Sequence, residues 1–135
     1  MANRRIQLYD TTLRDGAQTA GIHFSAEDKK RIAHQLAEFG IDWIEGGWPG
    51  ASPTDNQFFD LMRNRTWSHS RLVAFGSTAR PNKPINEDKG LHTLINSGAD
   101  AVCIFGKSWD LHVTTGLGIT LEENLHLVQA SIALL

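Results

Sequence analysis

Apolar positions in this chain fall into short runs that alternate with longer stretches of helical periodicity. Ile6 to Tyr9, Trp43 to Glu45, Leu72 to Phe75 and Ala101 to Phe105 read as strands, each followed by a polar or glycine-bearing segment and then a helical pattern. The chain also resembles itself. Gly40-Ile-Asp-Trp-Ile is similar to Gly98-Ala-Asp-Ala-Val, 58 positions further on, which makes two units of 29 with the third strand midway between them. A unit of that length holds one strand, one crossover helix and two short loops, so it predicts parallel strands covered by helices.

The helices carry their own punctuation. Ser25 with Asp28 predicts a capped start, Ile32, Leu36 and Phe39 share one face, and Gly40 supplies a left-handed stop. Asp55 marks the second start, ahead of an apolar face of Phe58, Phe59 and Met62. The third helix is expected from about Glu87 to Ser97, burying Leu91, Leu94 and Ile95 and stopping at Gly98. Thr120 and Glu123 open the last helix, whose stripe of Leu121, Leu125, Val128, Ile132 and Leu135 is followed by no stop signal. Four βα units give an α/β fold with two alternatives. One is the N-terminal half of a (β/α)8 TIM barrel, whose usual length is about 250 residues, with 1–135 as a partial barrel domain. The other is a small open doubly wound sheet. Both set ligands beyond the carboxyl ends of the strands. A half barrel would also leave two unpaired parallel edges, and so is expected to meet the remaining half of the barrel or another chain.

Composition narrows the classes. At 41% hydrophobic and 21% charged, the chain is globular rather than disordered. Thirteen basic residues against fifteen acidic ones leave a net charge of −2, which argues against nucleic acid or an anionic membrane as partner. A lone Cys103 excludes an internal disulfide framework and reads as a small core residue. No apolar run reaches the roughly 18 residues of a bilayer span. The first 25 residues lack the continuous apolar stretch of about 7–15 of a secretory leader, so a cytoplasmic location is expected.

Chemistry concentrates in Asp10-Thr-Thr-Leu-Arg-Asp-Gly-Ala-Gln18, directly after the first strand. The Arg14 guanidinium can fork onto a carboxylate or enolate, and Asp15 offers the hard oxygen that a divalent cation prefers. Gly16 is expected to let the backbone turn, and Gln18 adds a neutral donor and acceptor. A plain Arg-Asp pair closing a strand is the alternative. Glu45 lies among Trp43, Ile44, Gly46 and Gly47, so its charge needs a partner, either Arg14 or a metal, unless it is a solvated acid at a strand end. Gly46 and Gly47 are expected to leave space, and Trp48-Pro49-Gly50 to form a stiff turn beside it. Phe105 and Lys107 leave the fourth strand at the same mouth, where Lys107 could meet an anionic substrate or simply be solvated. Six histidines occur, none spaced for joint ligation, and neither a dinucleotide fingerprint, a Walker loop nor a nucleophile elbow is present.

These motifs, D-T-T-L-R-D-G-A-Q with F-S-A-E-D-K and I-E-G-G-W-P-G, resemble the metal-dependent Claisen-condensing TIM barrels. That family includes the isopropylmalate, homocitrate and citramalate synthases, with hydroxymethylglutaryl-CoA lyase as a retro-Claisen relative. The turn Gly46 to Gly50, with Pro53, Asp55 and Phe58-Phe59, is most similar to the citramalate synthase branch, as are 106–113 and 120–124. The resemblance implies that Asp15 ligates a divalent metal (Mg2+ or Mn2+, or Zn2+), that Arg14 polarises the keto acid, that Glu45 holds Arg14, and that Gln18 supports the substrate. It further implies acetyl-CoA and pyruvate as substrates, citramalate and CoA as products, and a homodimer at full length. Isopropylmalate synthesis from 2-oxoisovalerate is the neighbouring option, and a non-catalytic half barrel that binds a partner chain is the option from another class. The family's H-x-H metal ligands and mid-barrel carboxylate are not in this chain, which is therefore expected to be an N-terminal portion, inactive alone.

Overall fold

The computed structural model describes residues 5–135. Four parallel strands form one sheet in the order β1 (Tyr9–Asp10), β2 (Trp43–Gly47), β3 (Arg71–Ser77) and β4 (Ala101–Phe105). Between and after them come α1 (Ala26–Phe39), α2 (Pro53–Met62), α3 (Lys89–Ile95) and α4 (Leu121–Leu134), with a π-helical turn at His112–Leu117. Neighbours in sequence are neighbours in the sheet throughout. An open doubly wound sheet has a point where strand order reverses, and this sheet has none. The architecture is the first half of a (β/α)8 barrel.

Strand alternation divides the side chains between two faces. Ile44, Leu72, Ala74, Val102 and Ile104 pack into the core with Phe58, Phe59, Met62, Leu91 and Leu94 of the helices. Glu45, Val73, Phe75, Cys103 and Phe105 alternate with them and so take the other face, where the chemistry lies. The repeat seen in the sequence has a physical basis here. Asp42 accepts the backbone N–H of Leu8 at 2.9 Å and Asp100 that of Leu72 at 2.7 Å, so each aspartate stitches its own strand to the preceding one. Arg5 pairs with Asp42 at 2.7 Å and Arg65 with Asp100 at 2.5 Å.

Both expected capping boxes form, Ser25 with Asp28 and Thr120 with Glu123, and Gly40 closes α1 at φ 93°. Several expectations are corrected. The first strand is Tyr9–Asp10 rather than Ile6 to Tyr9, because an edge strand pairs only where β2 lies opposite. Ser52 caps α2, with Pro53 at its first position, and Asp55 lies one turn in. Helix α3 is confined to Lys89–Ile95 and is capped by Asp88; Ile95 is exposed, as is Phe39 at the last position of α1. The stripe of α4 also points outward. Leu121, Leu125, Ile132 and Leu135 are exposed, while Asn124 and Ser131 are buried and anchor the helix: Asn124 Nδ2 donates to the Lys107 carbonyl at 2.9 Å, and Ser131 Oγ accepts from the Ala79 amide at 3.0 Å.

Candidate active site

Immediately beyond β1 the chain folds on itself. The amides of Arg14, Asp15 and Gly16 all converge on the Thr11 carbonyl at 2.9–3.1 Å, and fully buried Leu13 anchors the turn in the core. Asp10 accepts the amide of Thr12 at 2.9 Å and so fixes the exit of the strand. Gly16 and Gln18 continue as a short 3-10 turn. Gly16 does not need glycine's freedom: its φ is not positive, and an added Cβ would meet only ordinary contacts at 3.7–3.8 Å.

This turn delivers Arg14 to Glu45. Arg14 Nε donates to Glu45 Oε2 at 2.6 Å, and Nη1 donates to Asp15 Oδ1 at 2.9 Å. Glu45 is 1% exposed, yet it is fully engaged, because the Tyr9 hydroxyl donates to its other oxygen at 2.8 Å. A buried carboxylate is tolerated only when paired in this way. Burial, together with the Glu45 carboxylate that accepts its hydrogen bond and with nearby Cys103, pushes the Tyr9 phenol well above its usual range, so it stays a donor. The Asp15 carboxylate, by contrast, is 63% exposed and offers a free oxygen to the space above.

Aromatic rings lie against the guanidinium. Arg14 Cζ lies 4.0 Å from the centroid of Phe75, which stacks on Phe105 at 5.6 Å and an interplanar angle of 12°. Lys107 Nζ lies 5.5 Å from the Phe105 centroid. With Nε and Nη1 engaged, Arg14 Nη2 has no hydrogen-bond partner among the described residues. Arg14 and Gln18 line a cleft of about 460 Å3 with Leu13, Trp48 and Asp55. The candidates thus divide by contact: Arg14, Asp15 and Glu45 touch, Gln18 shares their cleft, and Phe105 and Lys107 join through Phe75.

The glycines after Glu45 do not leave open space. A Cβ on Gly46 would stand 2.4 Å from Phe58 Cε1, and one on Gly47, at φ 147°, 2.7 Å from the Asp55 carboxylate. Helix α2 occupies the room the sequence seemed to reserve. Gly46 is also the extra residue of a bulge, since Glu45 pairs with Val73 while Gly47 pairs with Ala74; bulges of this kind re-aim side chains beside sites. Tyr9, Phe75 and the buried pair of Lys29 with Asp55 were missed in the sequence. Strand parity places Tyr9 and Phe75 on the face of Glu45, the one signal that could have found them.

A half barrel with an arginine, two carboxylates and a phenol at the carboxyl ends of its first strands belongs to the TIM-barrel class. The HMGL-like family profile matches residues 5–135, and the chain belongs to that family. It is 52% identical over 128 residues to an (R)-citramalate synthase of Aquifex aeolicus, covering 95% of this chain and 24% of that protein. An (R)-citramalate synthase of Synechocystis sp. is also 52% identical, over 95% of this chain and 23% of the relative. More distant is 2-isopropylmalate synthase 1 of Caldanaerobacter subterraneus, 35% identical over 93% of this chain and 30% of its own length. Among solved structures, an HMG-CoA lyase of Bacillus subtilis superposes with a TM-score of 0.68 at 19% identity, over 96% of this chain and 42% of that one. The chain spans about a quarter of the length of the citramalate synthases it matches.

Proposed function

We propose that this chain supplies the first half of the catalytic barrel of a citramalate-synthase-type acyltransferase, joining acetyl-CoA to pyruvate to give citramalate and CoA on the pyruvate route to isoleucine. The observation that carries the reading is the Arg14 guanidinium, held on one edge by buried Glu45 and on another by Asp15, with Nη2 left for substrate. In the condensation, the methyl carbon of acetyl-CoA gives a proton to a base of the complete barrel and bonds to the keto carbon of pyruvate, whose C=O π pair moves onto oxygen and takes up a proton to give the product hydroxyl. Negative charge then gathers on the keto oxygen. A preorganised guanidinium donates to that oxygen more strongly as the charge grows, which is the form of stabilisation that accelerates the step. Water then cleaves the thioester and releases the CoA thiol. Gln18 orients the keto acid from the same cleft, and Phe105, stacked on Phe75 and faced by Lys107, stands at the β4 end of the aromatic pair beside Arg14.

A divalent cation is part of the family resemblance, but this chain does not by itself fit one. No group of three potential ligands converges among the described residues. The free oxygen of Asp15 is the hard ligand that the turn after β1 would offer, and the remaining ligands would come from the rest of the barrel. That second half, a homodimeric assembly and a cytoplasmic location complete the proposal; among the described residues no helix is long and apolar enough to cross a membrane.

The test is a graft. Residues 5–135 replace the matching segment of the Aquifex relative, and release of CoA thiol is followed with pyruvate and with 2-oxoisovalerate. Release with pyruvate is expected. Faster release with 2-oxoisovalerate moves the assignment to 2-isopropylmalate synthesis, and no release with either keto acid leaves the half barrel as a binding module.

A further inference from the structure

One buried charge pair lies outside the chemistry described above. Lys29, in the first turn of α1, pairs with Asp55, in the first turn of α2; the lysine side chain is 4% exposed. The two helix ends act in opposite directions, the first turn of α2 favouring the Asp55 anion and the first turn of α1 disfavouring the Lys29 cation, and replacing a buried pair with apolar residues is often neutral or stabilising. The geometry gives the pair another role.

Asp55 Oδ2 accepts the Trp48 amide at 3.0 Å, and its carboxylate fits against Gly47, where any side chain would collide. Lys29 holds the other carboxylate oxygen and faces the Phe58 ring at 5.4 Å, so α1, α2 and the exit of β2 meet at one point. From that point Trp48 reaches the site. Its indole meets Phe75 edge-on at 5.5 Å and Phe105 at 6.0 Å, and Phe75 is the ring on which Arg14 rests. Lys29, Asp55 and Trp48 also line the cleft shared by Arg14 and Gln18.

We propose that Lys29 and Asp55 are positioning residues: they fix the Gly47-Trp48 peptide so that the indole buttresses the Phe75 ring and, through it, aims the free edge of Arg14 into the cleft. The kinetic consequence rests on the functional reading above; the geometric one does not.

Nuclear magnetic resonance of the 135-residue chain tests the geometry through the Trp48 amide and the Arg14 Nε–H signals, with circular dichroism as the fold control. D55N is expected to stay folded and to shift both. The charge swap K29D/D55K separates positioning from simple pairing, because a lysine at position 55 restores an ion pair but cannot accept the Trp48 amide. The swap is expected to recover the melting temperature without recovering the two signals. Signals unmoved in folded D55N, or fully recovered in the swap, overturn the proposal. Should D55N unfold, K29M keeps the length of the stem and removes the cation that holds the Asp55 carboxylate, and an unmoved Trp48 amide in folded K29M is equally fatal. In the grafted enzyme, D55N is expected to raise the KM for pyruvate about tenfold while leaving that for acetyl-CoA unchanged; equal changes in both overturn the link to Arg14. A graft without activity on any keto acid, beside signals that move as expected, refutes the functional reading and leaves the positioning role standing.

Discussion

Helices α1 and α4 have the same length, 14 residues, and the same reciprocal capping box, yet they end in different circumstances. Helix α1 lies against β2 and α2 and buries Ala26, Lys29 and Ala33, with Ile32 and Leu36 packed at the margin of the core. Helix α4 is held by Asn124, Ser131, Leu127 and Leu134, and leaves Leu121, Leu125 and Ile132 at 50%, 70% and 61% exposure. Caps and periodicity form a helix whether or not its apolar face has found a partner. Packing separates the two: the inward face of α1 is covered by β2 and α2, whereas the β4–α4 side, like Ile6, Leu8 and Tyr9 along the open β1 edge, presents apolar surface that further βα units of a barrel would cover.

The strongest way to break this contrast is at the satisfied side. E45A strands the Arg14 guanidinium and the Tyr9 hydroxyl, and is expected to cost about 3–5 kcal/mol in urea unfolding. G46A comes next: its Cβ would meet Phe58, and overpacking there is expected to cost about 1–3 kcal/mol in the same measurement. A smaller effect is expected from acid. The Leu8 amide foremost, then Arg5 and His69, hold Asp42 below the usual carboxylate range. Burial raises Asp88 and Asp100 but is outweighed, by the amides of Arg80, Leu91 and Gly90 for Asp88 and by Arg65 and the Leu72 amide for Asp100. Depressed carboxylates contribute stability that is present above their unfolded pKa of about 3.9 and is lost as pH falls through the folded value. Melting temperature is therefore expected to drop below about pH 4, with a shallower acid limb in D100N. The least effect belongs to the open side. L125K is expected to change the stability of this chain by less than about 0.5 kcal/mol, and a cost of about 2 kcal/mol in the grafted barrel is the expected sign that a further βα unit covers Leu125.

The repeat of glycine and aspartate at positions 40–42 and 98–100 made the parallel order legible, because each aspartate serves the same bond to the preceding strand. Arg14, Asp15 and Glu45 were legible as a cluster, since a guanidinium and a carboxylate at adjacent strand exits can satisfy one another. The filling of Gly46 and Gly47 was not. A glycine pair reads the same whether it admits a substrate or a neighbouring helix, and only the positions of Phe58 and Asp55 distinguish the two. Outward-facing Leu125 and Ile132 carry the same limit, for periodicity shows that a face exists and says nothing of which layer covers it.

The role proposed for Arg14, held by Glu45, is to stabilise the charge that develops on a keto acid. Its most direct measurement is CoA release from acetyl-CoA and pyruvate by the grafted enzyme, compared between Arg14 and R14Q with fold checked by circular dichroism. R14Q is expected to lower kcat by about 100-fold or more; a folded R14Q enzyme that turns over like its parent would remove Arg14 from the chemistry.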